Sequence, residues 1–177
     1  RVREQLLRML AIADSIVAST PALAEVLIKE ADLSSTPAVI GDAIEENARA
    51  KAGKQSWFRF PVRQRIRRDG MANLLWFGIH GGENAPYGML DILTQRDLLL
   101  ELNRTYPLQL VVVSDSREKF KRYIEPLPLR TLYIEWGAMA LSEILRESDV
   151  NIIPITRNPF TLCKTNNRLA TALFAGV

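Results

Sequence analysis

Four short apolar runs, each followed by a stretch of helical periodicity, constrain the fold of this chain more than any other feature. The runs are residues 74–77 (LLWF), 108–113 (LQLVVV), 131–135 (TLYIE) and 150–155 (VNIIPI). The helical stretches are residues 87–104, 117–125, 138–148 and 165–175, and the last predicts Leu169, Ala172 and Leu173 on its inward face. Apolar strands alternating with helices at short spacing predict an α/β domain with a parallel sheet, right-handed crossovers and helices on both faces.

A shorter pattern of the same kind precedes this domain. Residues 1–13 read as a helix with Leu6 and Leu10 on one face, and residues 15–19 and 37–40 read as strands. Thr20 followed by Pro21 is a helix start signal, and this helix is predicted to run to about residue 31. We expect 1–50 to be the end of an N-terminal domain, 51–72 a linker and 73–177 a second domain. Because the chain starts inside a helical pattern and stops directly after a helix, we expect a segment of a longer protein.

The predicted linker is basic and aromatic. Residues 51–68 contain seven basic residues and no acid, and Trp57, Phe58 and Phe60 lie among them. Such a mixture can bind an anionic lipid surface or a nucleic acid. The alternative is an interdomain linker whose aromatic residues pack on a neighbouring domain, and the position between two α/β patterns favours it. A peripheral contact with a membrane remains the second interpretation, and no nucleic-acid partner is predicted.

The overall composition is that of a globular protein of a reducing compartment. The 177 residues are 47% hydrophobic and carry a net charge of +3, an excess too small to indicate nucleic acid. Cys163 is the single cysteine, so an internal disulfide is excluded. No signal peptide or apolar run of about 18 residues is visible, and we predict a cytoplasmic location. No His, Cys and acid cluster at ligand spacing predicts a metal site, and no cofactor is expected.

The loop after the first strand of the second domain is rich in glycine. It holds Gly78, Gly81 and Gly82 with His80, the only histidine of the chain, between them. A strand, a glycine-rich turn and a helix start can bind phosphate, because backbone N–H groups and the helix dipole face the anion. The pattern matches neither G-x-G-x-x-G nor G-x-x-x-x-G-K-[ST]. An ordinary tight turn with a structural histidine is the alternative.

The loop before the last helix is the second candidate for anion binding. Lys164, Thr165, Asn167 and Arg168 combine two cations with residues that cap helices. Ligands of such sheets bind outside the carboxyl ends of the strands, so this loop and the glycine loop are expected at one edge. A solvated loop with a capped helix is the alternative.

The succession of these segments resembles a known family. The segments are SIVASTPALAEVL, PAVIGDAIEE, LLWFGIHGG, LQLVVVSD, LYIEWG, SDVNIIPI and KTNNRLATALFAGV. In this order they are similar to the nucleotide-sugar glycosyltransferases of the GT-B fold, group 1 or family 4-like, which consist of two facing Rossmann-like domains. The resemblance covers nearly the whole chain. It implies that 73–177 is a truncated donor-binding domain and that 1–50 holds the last βα units of the acceptor-side domain.

The resemblance also implies roles for individual residues. The glycine turn at Gly78, with His80, Gly81 and Gly82, contacts the donor diphosphate. The variant K-[ST]-x-N-[RK] matches Lys164, Thr165, Asn167 and Arg168 and implies phosphate or sugar contacts. The loops after the second and third strands of the donor domain form the nucleoside site, with Ser114, Asp115, Trp136 and Gly137. The catalytic residues are not identified, and any base that activates the acceptor is expected in the other domain.

Three departures from the family keep alternatives open. Ile79 and Tyr87 stand where many members have an Arg and a Lys for the diphosphate, and Thr171 stands in place of a Glu. The expected function is metal-independent sugar transfer from a nucleotide-sugar to a glycan or lipid-linked acceptor, in surface polysaccharide biosynthesis. A nucleotide-sugar epimerase of the same fold and a non-catalytic binding module are the alternatives. The segment alone is expected to be inactive.

Overall fold

A computed structural model describes residues 2–43, 59–67, 70–81 and 87–177, without the side chains of residues 59–62 and 138–140. The predictions for Gly82 and for most of the basic-aromatic segment therefore lie outside the described residues. Contacts divide the chain into two compact units. The first lies within Arg1–Ala43 and Arg157–Asn167, and the second lies within Ile44–Thr156 and Arg168–Val177.

The described elements alternate along the chain. The strands are β1 (Val17–Ala18), β2 (Ala38–Val39), β3 (Ala72–Phe77), β4 (Leu108–Ser114), β5 (Arg130–Glu135) and β6 (Val150–Asn151). The helices are α1 (Val2–Ile12), α2 (Pro21–Ala31), α3 (Arg59–Ile66), α4 (Arg96–Thr105), α5 (Arg117–Lys119), α6 (Ala138–Arg146), α7 (Pro159–Leu162) and α8 (Asn167–Ala175). The 3-10 segment Met89–Gln95 leads into α4, and the π-helical turn Phe120–Ile124 continues α5.

The first unit has a two-stranded parallel sheet, in which Val17 of β1 lies opposite Ala38 of β2. Helix α2 begins as predicted, because the Thr20 hydroxyl accepts a hydrogen bond from the Leu23 N–H at 3.1 Å and Pro21 needs no partner at the first position. The Thr20 hydroxyl also donates to the Cys163 carbonyl at 3.0 Å. This contact connects the segment Arg157–Asn167 to the first unit. The sequence, in contrast, predicts 73–177 as one domain.

The second unit is built on a parallel sheet with strand order β5-β4-β3-β6. Six residue pairs join β3 to β4, from Ala72 opposite Leu108 to Phe77 opposite Val113. Strand β6 pairs with β3 on the other side, where Leu74 lies opposite Val150. Numbered within this unit, the order is 3-2-1-4, which is that of the first four strands of a doubly wound sheet. The predicted α/β class and parallel sheet are confirmed, and the sheet is compatible with a Rossmann-like fold.

Both faces of this sheet are covered. Strand side chains alternate between faces, so β3 sends Trp76 to one hydrophobic cluster and Leu75 and Phe77 to the other. The first cluster includes Met89, Ile92 and Leu99 from the 3-10 segment and α4, with Phe120 and Ile124 from the π-helical turn. The second includes Ile66 of α3, Ile144 and Leu145 of α6, and Ala172 of α8. Helices on both faces were predicted, and this prediction is confirmed.

Two inward positions predicted from the sequence are wrong. Leu169 and Leu173 of α8 are 46% and 65% exposed, whereas Ala172 is 1% exposed. Ala172 and the partly buried Ala175 belong to the hydrophobic cluster instead. The face that α8 presents to the cluster is therefore the one with the small residues, and the leucines lie on the exposed face. Helix α1 also leaves its apolar residues accessible to solvent: none of its residues is buried, and Leu6 is 46% exposed.

A polar network holds α3 to the amino end of the sheet. The Gln109 side-chain amide donates to the Ile66 carbonyl at 2.8 Å and to the Asn73 side-chain oxygen at 3.0 Å. The Gln109 oxygen accepts from the Arg130 Nε at 2.8 Å. Gln109 and Asn73 are 1% and 0% exposed, so these bonds satisfy polar groups that water does not reach.

Candidate functional site

The carboxyl end of β3 is the place where a sheet of this topology binds its ligands. The strand order reverses between β3 and β6, and the crevice at such a switch point lies outside the carboxyl ends of the strands. Gly78 directly follows β3, and Thr156 lies a few residues after the end of β6. The predicted glycine loop is therefore at the expected position in the fold.

Arg168 of α8 reaches this position. A Cβ atom added to Gly78 would lie 3.4 Å from the Arg168 Nη1 and 3.3 Å from the ring of Trp76. The guanidinium lies 5.9 Å from the centroid of the Trp76 ring and donates to the Phe77 carbonyl at 3.5 Å. Since Gly78 has no side chain, the guanidinium and the strand end are close to each other. The structure thus brings together two residues that were predicted to contact the diphosphate.

The charge of Arg168 is only partly compensated. Burial lowers the pKa of its guanidinium, and the negative charge of Asp91 acts in the opposite direction. Within the described part of the chain, Arg168 forms no ion pair, and its single hydrogen bond is the long one to Phe77. A guanidinium carries five N–H donors in a planar fork. A half-buried cation with spare donors is chemically suited to bind a phosphate.

Asp91 organises the segment between the glycine loop and α4. Its carboxylate is buried, accepts from the Gly88 N–H at 3.0 Å and accepts from the Thr156 hydroxyl at 2.7 Å. The second bond joins the segment after β3 to the segment after β6, across the switch point. Sequence reasoning missed Asp91, Gly88 and Thr156. The available signal was the spacing Gly88-x-x-Asp91. Here the Asp91 carboxylate binds the backbone N–H of Gly88 and so caps the start of the 3-10 segment that contains Asp91.

Gly88 is required by the loop that it contacts. Its φ is +101°, and an added Cβ would lie 2.4 Å from the Ile79 carbonyl oxygen. No L side chain fits at that distance. Gly88 therefore lets the chain pass directly against Ile79 and Gly81.

His80 is held by Asp115 of the neighbouring strand end. Its Nδ1 lies 2.8 Å from the Asp115 Oδ1, and its backbone N–H donates to the same oxygen at 3.0 Å. Burial raises the pKa of Asp115, but the hydrogen bonds from His80 outweigh this effect and the pKa is lowered. Ser114 is buried and donates its hydroxyl to the Gly78 carbonyl at 2.7 Å. Lys119 donates to the Gly81 carbonyl at 2.8 Å, so Ser114 at the end of β4 and two residues after it, Asp115 and Lys119, anchor the loop after β3.

Trp136 provides an aromatic surface after β5. It is 45% exposed and stacks on Phe77, with ring centroids 6.5 Å apart and planes inclined by 25°. Its backbone N–H donates to the Ser114 carbonyl at 2.9 Å. Gly137 follows at the N-cap of α6. Of the predicted nucleoside residues, Ser114 and Asp115 are engaged with the glycine loop, and Trp136 presents a ring to solvent.

The remaining predicted residues belong to the first unit. Lys164 places its ammonium 4.5 Å from the centroid of the Phe160 ring, and Thr165 donates its hydroxyl to Asp42. Asn167 is the last residue of that unit, and Arg168 is the first of the final segment of the second unit. The four-residue motif is thus divided between the two compact units, and its combined role stays a prediction.

No protein-family model matches the chain, and no curated protein matches it in sequence. Among the residues that the structure describes, no three His, Cys, Asp or Glu side chains are grouped so that they can hold a metal ion. None of the described helices has the length and apolar character needed to cross a membrane. The sheet topology and the surroundings of Arg168 and His80 are the observations from which a function can be argued.

Proposed function

We propose that this chain binds a nucleotide-sugar at the carboxyl end of β3 and belongs to a GT-B glycosyltransferase that transfers the sugar to a glycan or lipid-linked acceptor. The observation that carries the proposal is the guanidinium of Arg168, half-buried and 3.4 Å from the Cβ position of Gly78. Its place at the switch point of a parallel sheet is where phosphates of nucleotides bind in doubly wound folds.

The chemistry of sugar transfer needs such a cation. When the bond between the anomeric carbon and the diphosphate breaks, negative charge develops on the leaving phosphate oxygen. A preorganised donor at that oxygen stabilises the transition state, and removing one typically costs about 3 kcal/mol. In this proposal Arg168 supplies the donor in place of the Arg and Lys that Ile79 and Tyr87 replace. The exposed ring of Trp136 supplies a stacking surface for the base.

A second candidate, a nucleotide-sugar epimerase, is favoured by the paired His80 and Asp115 side chains, 2.8 Å apart. A carboxylate-bound histidine can move protons, which epimerisation requires and which binding alone does not. Turnover of a nucleotide-sugar by the full-length protein separates the candidates. Free nucleoside diphosphate released only with an acceptor supports the transferase, an altered sugar supports the epimerase, and binding without either product supports a non-catalytic module.

The binding step is tested on the 177-residue chain by calorimetric and thermal-shift titration with UDP, GDP, ADP and CMP, with and without a chelator. We expect one nucleoside diphosphate to bind in both conditions. Saturation at a hundredfold excess over Kd raises the unfolding free energy by about 2.7 kcal/mol. Arg168→Gln removes a charged hydrogen bond of roughly 1.5–3 kcal/mol, and Kd is expected to rise about 10- to 100-fold.

Arg122→Gln is the matched control. Arg122 is also an arginine of the second unit whose guanidinium lies over an aromatic ring, 5.3 Å from the centroid of Tyr123, but it is exposed. We expect this variant to bind like the wild type. Lys164→Ala tests separately whether a cation of the first unit contributes. If no nucleotide binds the wild type, or if Arg168→Gln and Arg122→Gln bind equally well, the proposal is wrong.

A further inference from the structure

Strand β5 forms one edge of the parallel sheet in the second unit. Among the described strands it pairs with β4 alone. The Trp136 N–H, directly after β5, donates to the Ser114 carbonyl of β4. Because the backbone N–H and C=O groups of successive residues point to opposite sides of a strand, the even-numbered residues of β5 also direct theirs to β4. The odd-numbered residues direct theirs away from the sheet, and these are Thr131, Tyr133 and Glu135.

The sequence of this edge lacks the residues by which sheets usually avoid pairing with another chain. Strand β5 is six residues long and contains no Pro or Lys, and its two charged residues, Arg130 and Glu135, stand at its ends. At the other edge, β6 has only two residues, and Pro154 follows it closely. In the part of the chain that the structure describes, no backbone hydrogen bond reaches the outward groups of β5. These N–H and C=O groups are therefore available to a further strand.

We propose that two copies of this chain associate through β5. The two β5 strands pair antiparallel across a two-fold axis at Tyr133 and join the two four-stranded sheets into one continuous sheet. In such an isologous contact the same surface is used twice, so the strand has to be complementary to itself. The outward N–H and C=O groups of each copy then bond to those of the other. This inference does not depend on the nucleotide site.

The side chains of β5 fit this register. Residues opposite each other in an antiparallel pair lie on the same face of the sheet. With Tyr133 on the axis, Thr131 lies opposite Glu135 of the partner subunit, where its hydroxyl donates to the carboxylate. On the other face, Leu132 lies opposite Ile134 of the partner subunit. Ile134 belongs to the second hydrophobic cluster and Leu132 packs against it, so the pairing continues that cluster across the axis.

The charged ends of the strand favour the same register. Arg130 is exposed and donates its Nε to Gln109, which leaves further guanidinium N–H groups for a second partner. It lies opposite Trp136 of the partner subunit, whose ring is 45% exposed, and a guanidinium beside an indole ring is attractive. The next possible register places Arg130 opposite the apolar Ile134 of the partner subunit. With Tyr133 on the axis, no two like charges of β5 lie opposite each other.

The test is sedimentation equilibrium of the 177-residue chain between about 1 μM and 1 mM, which brackets the Kd of a contact of this kind. Thr131→Glu places a carboxylate opposite Glu135 of the partner subunit at two symmetric positions, and the dimer Kd is expected to rise about tenfold. The double variant Thr131→Glu, Glu135→Lys makes both pairs opposite in charge and is expected to return Kd to within about threefold of the wild type. Thr105→Glu is the matched control, because it makes the same change at an exposed position of α4. We expect it to dimerise like the wild type.

Amide hydrogen exchange, measured by NMR at the two ends of this concentration range, locates the contact. The amides of Thr131, Tyr133 and Glu135 are expected to exchange more slowly in the dimer, whereas those of Leu132 and Ile134 are bonded to β4 and exchange slowly at both concentrations. A monomer at every concentration, equal Kd values for Thr131→Glu and Thr105→Glu, or a dimer without protection of the outward amides would overturn the inference. None of these measurements uses a nucleotide, so their outcome leaves the proposed nucleotide site untouched.

Discussion

Replacing Gln109 by leucine tests whether the buried polar network at the amino end of the sheet stabilises the second unit. The side chain is 1% exposed and makes three hydrogen bonds, with Ile66, Asn73 and Arg130. Leucine has nearly the same volume, so the change removes the hydrogen bonds with little change in packing. Arg130 is exposed and can turn to water. The Ile66 carbonyl and the Asn73 side-chain oxygen are left buried without this donor.

The expected cost follows from these two groups. Each of the two buried acceptors that lose their donor costs about 1–3 kcal/mol. Because burying leucine offsets part of this loss, we expect the free energy of unfolding to fall by about 3 kcal/mol in total. With a urea m-value of about 2 kcal/mol/M, the midpoint falls by about 1.5 M. The assay is urea unfolding followed by tryptophan fluorescence, to which the fully buried Trp76 contributes.

The control is Gln95→Leu, because Gln95 makes its one described bond to the exposed side chain of Thr94, at 3.2 Å. We expect a change of less than about 0.5 kcal/mol for this variant. The double variant Gln109→Leu, Asn73→Leu removes the unpaired Asn73 oxygen as well and should cost less than the sum of the single variants. A Gln109→Leu protein as stable as Gln95→Leu would refute the reasoning.

Two further predictions concern the loop after β3. Gly88→Ala must strain a φ of +101° and displace the Ile79 carbonyl oxygen, which lies 2.4 Å from the new Cβ, so we expect about 1–3 kcal/mol of destabilisation by urea unfolding. Gly41→Ala, with open space around its Cβ position, should be close to neutral, and equal stabilities of the two variants would count against this interpretation of Gly88. The lowered pKa of Asp115 means that its contribution to stability is present above its unfolded pKa of about 3.9 and is lost as the pH falls through the folded value. Between pH 5 and pH 2 the urea midpoint of the wild type should therefore fall more steeply than that of Asp115→Asn, and parallel curves would contradict this.

The centre of the sheet could be predicted from the sequence because it depends on local patterns. The runs LLWF, LQLVVV and TLYIE correspond to β3, β4 and β5, which are buried between two layers of helices. The run 150–155 is equally apolar, but only Val150 and Asn151 form a strand, and one further bond joins the Ile152 N–H to Leu75. Pro154 has no N–H and cannot extend the pairing. Apolar composition therefore predicted the place of β6 but not its length.

The site depends on contacts that no local pattern contains. The position of Arg157–Asn167 in the first unit is fixed by bonds such as that between Thr20 and Cys163, which are 143 residues apart. Arg168 was predicted to bind an anion, but its approach to Gly78 is visible only in the folded chain. Asp91 lies in the apolar stretch MLDIL, where periodicity alone indicates a helix interior. Its carboxylate reaches Thr156, a partner that the sequence places 65 residues away.

The position of Trp76 beneath Arg168 gives the protein an optical signal of its own. An indole buried from water responds mainly to local electric fields, and the guanidinium 5.9 Å from its ring is a large part of that field. An anion that draws the guanidinium towards itself changes the field across the ring and therefore the wavelength of its emission. In a protein whose Trp57 and Trp136 are replaced by phenylalanine, filling of the crevice at β3 would then be recorded as a Stark shift of Trp76, without a dye or an isotope.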